Sequence, residues 1–307
     1  MKVRVVAPGD HEWPPQLSEL ETCRRLKRLY AVGASLDCGP KTIAIVGTRR
    51  PTAAGLEAAE MLASGLAQAG FTVVSGLALG IDSAAHRAAL AAGGSTVAVL
   101  GCGVDVDYPK RNRSLKRQIA ARGTLVTEYP AGTNPTPFTF PERNRIIAGL
   151  SMGVVVVEGG VRSGALITAR LALDANRSVF AVPGSIRNPM AAGPNLLIRT
   201  SQAAVVTEVK HVCDELAPHL VWSETSSDDA GVVELGDCER DVLALLDDAP
   251  VAPDQLCRRL DHPPGEVALA LSRLEVRNLV LRRSVGYEIS TAGARARSAL
   301  STAVNSC

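Results

Sequence analysis

Aromatic residues are scarce in this chain, at 3% of its 307 residues. A core built on aromatic packing is excluded, and an aromatic side chain in a polar loop stands out. Lysine is scarce too, six of the 33 basic residues, and the formal net charge is only +2. Bulk charge announces no nucleic-acid partner, so any basic surface must be local. Seven cysteines (23, 38, 102, 213, 238, 257 and 307) are scattered singly, with no Cys-x-x-Cys and no paired Cys/His spacing. That dispersal argues against a disulfide framework or a metal site and for a reducing cytoplasm. The longest apolar stretch, about Phe71 to Val104, is broken by Asp82, His86 and Arg87, and the N-terminal apolar run is too short for a signal peptide. No membrane association is expected. No Walker A sequence is present, and Gly101-Cys102-Gly103 lacks the third glycine of the dinucleotide fingerprint. No cofactor is therefore expected.

What is present is an α/β pattern. Hydrophobic residues reach 46%, enough for a sizeable core. Short β-branched runs at 43–46, 72–75, 96–100, 125–127, 154–157 and 179–182 alternate with helical stretches at 56–69, 83–92, 114–121, 145–150 and 166–175. Continuous apolar strands between helices predict a doubly wound, mostly parallel, Rossmann-like sheet covered on both faces. That domain is placed at 41–218. Residues 1–40 read as a short N-terminal segment, with Leu17, Leu20, Leu26 and Leu29 at helical spacing after Pro14-Pro15. An acidic, solvated linker is expected at 219–237. Helices at 239–246, 253–260 and 265–277, then two β-runs within 279–289, predict a small winged helix at 238–292, with a frayed tail at 293–307.

Ligands of open parallel sheets bind outside the carboxyl ends of the strands. Each predicted strand here ends in an unusual loop: Gly47–Thr52, Gly76–Asp82, Gly101–Asp105 leading to Tyr108-Pro109-Lys110-Arg111-Asn112, and Glu158–Gly164. Gly47, Gly76, Gly80, Gly101 and Gly164, together with Ser163, would let backbone N–H groups approach an anion. Arg49, Lys110, Arg143 and Arg145 would supply charge on the same rim. The run Phe140-Pro141-Glu142-Arg143-Asn144-Arg145 pairs an aromatic with two arginines around an asparagine, which reads as a loop that grips phosphates and stacks a base. Arginine and asparagine are rarely buried without partners, so a core role is disfavoured. Asp82 and His86 lie at i and i+4 with no serine or cysteine nucleophile tied to them, and they read as a cap and a packing pair.

These residues resemble the DNA-processing protein A family (DprA, also called Smf). The resemblance is carried by Ile45–Arg49, Ser75–His86, Val99–Gly103, Tyr108–Asn112, Phe140–Ile147, Ser163–Ala169, Pro183-Gly184 and Gly193–Asn195, and it covers about residues 42–210. It implies an extended Rossmann fold without a nucleotide cofactor. It also implies a non-enzymatic single-stranded DNA binder that protects incoming DNA and helps load the RecA recombinase in natural transformation. Arg49 and Lys110 would hold the DNA backbone and Phe140 would stack a base. Many members carry an N-terminal helical domain, and with only about forty residues before the first clear strand that domain is expected to be absent or truncated. Members dimerise through the Rossmann unit. The aliphatic segments 166–173 and 196–198, with Leu197 and Ile198, are candidates for a twofold dimer surface that overlaps the recombinase contact.

Two other readings stay open. A nucleotide phosphoribohydrolase also ends a strand in a Gly-Gly loop, but here no glutamate follows Glu158–Thr168 in the place its catalytic one would take. A winged-helix transcription factor would read duplex DNA through Arg273 and Arg277, against Glu266 and Glu275, with Arg282 and Arg283 in the wing. A protein-docking role for that domain is at least as well supported.

Overall fold

The structure is a computed structural model. It describes residues 2–217 apart from Arg25 and Pro40, residues 235–290 apart from 247–249, 278, 284 and 285, and also Gly293 and Arg297. The chain forms two compact units, Met1–Ser223 and Glu224–Cys307.

In the first unit the elements run β1 (Arg4–Val6), α1 (Pro15–Glu19), β2 (Leu29–Gly33), β3 (Thr42–Val46), α2 (Ala53–Gln68), β4 (Thr72–Ser75), α3 (Ile81–Ala91) and β5 (Thr96–Val99). They continue with α4 (Arg113–Arg122), β6 (Thr124–Thr127), α5 (Thr139–Leu150), β7 (Gly153–Val156), α6 (Gly164–Asp174), β8 (Ser178–Ala181), α7 (Ala192–Arg199), β9 (Ala204–Val205) and α8 (Val209–Leu216). One sheet has the order β1-β2-β6-β5-β4-β3-β7-β8-β9. From β6 to β9 every pairing is parallel, whereas β1 and β2 add antiparallel at one edge. All five residues of β3 are buried, with Ile43 and Ile45 in the core under α2 and α3 and Ala44 and Val46 in the core under α5 and α6. Apolar residues on both faces are what a parallel strand between helical layers requires.

The predicted doubly wound sheet is therefore present, with one difference at its start. The leucines at 17, 20 and 26 do not mark one helix. α1 has five residues, a 3-10 turn follows at Glu21–Cys23, and Leu29 opens a strand. Leu17, Leu20, Leu26 and Leu29 all enter the core beneath α5 and α6. β2 completes the edge of the sheet by pairing Tyr30–Gly33 with Thr124–Thr127. A ladder of backbone hydrogen bonds with buried side chains outweighs a weak helical spacing.

In the second unit α9 (Asp237–Leu245), α10 (Pro253–Arg259) and α11 (Pro264–Val276) precede the antiparallel hairpin of β10 (Val280–Arg283) and β11 (Gly286–Ile289). Val242, Leu256, Leu271, Leu274, Val280 and Ile289 form its core. This is the predicted winged helix. Most of the expected acidic linker and frayed tail lies outside the described residues, as do Ser284 and Val285.

Candidate nucleic-acid interface

The sheet leaves β3 toward β4 on one side and returns to β7 on the other. The helices after β3 and β7 therefore go to opposite faces of the sheet, and the loops after β4 and β5 rise beside the loop after β3. The mouth of a cavity of about 50 Å³ opens between the loops after β3, β4 and β5 and the start of α5, among Arg49, Leu77, Gly101, Tyr108, Phe140 and Arg143.

Arg49 is exposed on the loop after β3, and its guanidinium stands 5.4 Å from the centre of the Phe140 ring. Phe140 is half-buried and packs at 5.3 Å on Tyr108, with the rings tilted by 35°. Lys110 is exposed at the start of a 3-10 turn, Lys110–Asn112. No ion pair engages Arg49 or Lys110 among the described residues. Two free cations beside an aromatic pair can accept phosphates while a base enters the cavity. Phe138, 78% exposed just before α5, offers a second aromatic face.

Other predicted site residues are placed differently. The Phe140–Arg145 run is not a loop. It forms the first turns of α5, which start at Thr139 after reciprocal Thr136–Thr139 hydrogen bonds and carry Glu142 near the helix N-terminus. On that helix Arg143 turns inward and is 4% exposed. Its guanidinium donates to the carbonyls of Gly76 (2.6 Å) and Val99 and to Asn144 Oδ1 (3.2 Å). Arg143 thus ties the ends of β4 and β5 and forms the floor of the cavity rather than a rim charge. A Cβ on Gly76 would lie 2.4 Å from Arg143 Nη2, so the glycine makes room for this side chain. Asp82 is buried in the same cluster and accepts from the N–H groups of Gly76 (3.1 Å) and Ala78 (3.3 Å). Burial pushes its carboxyl up and the Arg143 guanidinium down, and each charge moderates the shift of the other.

Asn112 is also buried. Its side-chain amide donates to the carbonyls of Leu77 (2.8 Å) and Ala78 (3.3 Å) and to Ser83 Oγ (2.8 Å), so it fastens the Lys110 turn to the loop after β4. Asn144 reaches Gly164 O at 3.4 Å, and Arg145 is paired with Glu128 at 2.5 Å. The loop glycines divide. Gly47 packs against Ile81, and Gly80, at φ +83°, faces Thr48 O, where a Cβ would be 2.3 Å away. Gly101 lies against Phe140. Ser163 precedes α6 as its N-cap residue with no side-chain cap, and Gly164 opens the helix. Leu197 is 5% exposed inside the core and Ile198 packs partly against it, so Leu197 offers no surface to a partner. His86 does not bond Asp82. Its Nδ1 meets Thr96 Oγ1 at 2.7 Å, and burial lowers its pKa to about 3.

Sequence reasoning missed one buried group at the switch between β3 and β7. Glu158 is 6% exposed. Its carboxylate accepts from Thr52 N–H (2.9 Å), Thr52 Oγ1 (2.7 Å) and Asn188 Nδ2 (2.9 Å). It lies on the first turn of α2, where a Cβ on Gly55 would come within 2.3 Å of Glu158 Oε2. In nucleotide-binding sheets this place, the helix N-terminus at the switch point, receives a phosphate. Here the protein's own carboxylate fills it. The signal was the valine run ending in Glu158 together with the small residues that open α2.

Among the described residues no helix is long and apolar enough to cross a membrane. An open parallel sheet whose rim carries two exposed cations and a tilted aromatic pair, with a winged helix following in sequence, defines a class of α/β DNA-handling proteins. Within it the chain belongs to the DNA recombination-mediator protein A family, whose model matches residues 4–217, and the DprA winged helix domain matches residues 227–284. The chain is 38% identical to Protein Smf of Escherichia coli K12, covering 91% of this chain and 76% of that one. The crystal structure of DNA processing protein A from Streptococcus pneumoniae superposes with a TM-score of 0.66 at 41% identity, covering 70% of this chain and 75% of that one. The Helicobacter pylori protein, solved for insight into its single-stranded DNA binding mode, superposes with a TM-score of 0.64 at 29% identity, covering 71% and 97%.

Proposed function

We propose that this chain binds single-stranded DNA across the rim formed by Arg49, Lys110, Tyr108 and Phe140. It protects incoming DNA and helps load a RecA-type recombinase in natural transformation, as a cytoplasmic homodimer, without catalytic turnover or a nucleotide cofactor. The carrying observation is exposed Arg49 over Phe140, which packs on Tyr108 at the mouth of the cavity, with exposed Lys110 two residues beyond Tyr108 and neither cation in an ion pair among the described residues. Cations hold any backbone, whereas a half-buried ring at a cavity receives only a base free of its duplex stack. The single-stranded DNA named for the Helicobacter relative supports the same ligand class.

The filled switch point supports a chain that uses no nucleotide there, because a phosphate would meet the Glu158 carboxylate. The same engagement of Glu158 weighs against the phosphoribohydrolase reading. In the winged helix, Arg277 lies 3.4 Å and Arg273 3.9 Å from buried Glu239. Both are drawn toward a carboxylate, which supports protein docking over duplex reading.

The test is a salt titration of single-stranded and duplex oligonucleotides on the full chain, followed by recombinase filament growth on the bound strand. Tighter binding of the single strand and faster filament growth are expected. Equal affinity for the duplex would refute the base-pocket reading, and unchanged filament growth would refute the loading role.

A further inference from the structure

Glu158 is buried and does not line the cavity, and DNA binding as proposed above leaves it without a role. Its position suggests one. Glu158 contributes an anchor at both ends of the loop carrying Arg49. At the near end Thr48 N–H donates to the Glu158 backbone carbonyl at 2.7 Å, which extends the β3–β7 ladder by one step. At the far end Thr52 gives both its N–H and its hydroxyl to the Glu158 carboxylate, at 2.9 and 2.7 Å. Arg49 and Arg50 lie between the two anchors. Thr52 is also the N-cap of α2, its hydroxyl accepting from Gly55 N–H at 3.1 Å, so the far anchor is continuous with a sixteen-residue helix. Asn188, from the segment after β8, completes the carboxylate's partners at 2.9 Å.

We propose that Glu158 is a positioning residue for single-stranded DNA binding, acting through Arg49. The carboxylate occupies the anion seat of α2 and in doing so holds the Gly47–Thr52 loop in the shape that keeps the Arg49 guanidinium beside Phe140. Without the carboxylate the far half of the loop would be held by the α2 cap alone. The seat suits a carboxylate because Gly55 brings no Cβ into it and because the N-terminus of a long helix favours negative charge. A neutral amide of the same shape keeps the packing, weakens the charge-assisted bonds and forces one amide donor against a donor of the loop.

The inference rests on Arg49 contacting DNA, and the experiment separates the two claims. Binding of a fluorescent oligo-dT strand is measured for the full-length protein and for R49A, E158Q and R49A/E158Q, with thermal melts confirming the fold. E158Q is expected to lose roughly fivefold in affinity, about the worth of one net hydrogen bond. Added to R49A, the same change is expected to cost nothing further, because the residue it positions is gone. Equal losses in both backgrounds, or no loss in E158Q, overturn the positioning role while leaving the DNA reading intact. No loss in R49A overturns the DNA role of Arg49 and the positioning role with it. If E158Q does not fold, T52V removes one donor to the same carboxylate and is read in the same cycle.

Discussion

Removing the two rim cations together tests the binding surface most directly. Arg49 and Lys110 stand on loops after different strands, both exposed, with no ion pair among the described residues. Replacing them by alanine opens no cavity and strands no buried partner, so the melting temperature should stay within a few degrees of the parent. On the proposed reading, each cation neutralises one phosphate and releases the counterion that phosphate held. For single strands each contact contributes about 0.7 to the slope of log affinity against log salt, so the double variant should show a slope shallower by about 1.4. Between about 50 mM and about 200 mM salt, the parent should then lose roughly sevenfold more affinity than the double variant, and about 2.6-fold more than either single variant. Fluorescence anisotropy of a labelled oligo-dT strand at four or five salt concentrations measures this. A double variant with the parent's slope would refute the assignment, whatever its affinity at a single salt concentration.

Three further expectations concern what lies beneath that surface. Arg143→Ala removes the tie between the ends of β4 and β5 and leaves the buried carbonyls of Gly76 and Val99 without their donor, at about 1–3 kcal/mol for each, so urea unfolding should register a clear loss of stability, with DNA binding lost as a consequence of the weakened fold. His86 is held neutral by burial, its pKa lowered to about 3 from 6.5. The unfolded chain binds the extra proton between those two values. Stability should therefore fall as pH drops from 6.5 toward 3, by up to about 1.4 kcal/mol per pH unit, and a His86→Gln variant that still folds should show a flatter profile in acid unfolding. Leu197→Glu places a charge in the core beneath α7 and should yield unfolded protein in sedimentation and circular dichroism, whereas a folded monomer would return Leu197 to the interface.

Much of the fold was legible because parallel strands between helices are written as uninterrupted β-branched runs. Thr72–Ser75 falls where its run predicts, and Val154–Val157 shifts by one residue. β2 was hidden because Leu-Tyr-Ala-Val-Gly is short and lies among leucines at helical spacing. At the candidate site, Arg49 and Lys110 could be placed on the rim because a loop after a strand fixes a side chain's location without knowledge of its neighbours, whereas Phe140 proved to lie on α5. Arg143 could not be placed in the same way. Whether it faces water or the floor of the cavity depends on the phase of α5, and that phase follows from burial of Ile146, Ile147 and Leu150. The general disfavour for buried arginine holds for unpartnered groups, and here two strand-end carbonyls and Asn144 Oδ1 are the partners, with Asp82 supplying a nearby opposite charge. Glu158 was hidden for the same reason, since its partners come from segments distant in the sequence.

Gly76 and Arg143 also constrain how this cavity can be altered. A methyl group at 76 would stand 2.4 Å from the guanidinium, and a shorter side chain at 143 would strand the carbonyls of Gly76 and Val99. Neither position can drift while the other stays as it is. The floor of the cavity is thus inherited as a block, and each single exchange crosses a region of poor folding before its companion can rescue it. Single-site libraries aimed at reshaping the pocket will return survivors at Tyr108, Phe140 and Arg49 and almost none beneath them. Enlarging the pocket requires writing both residues anew in one step.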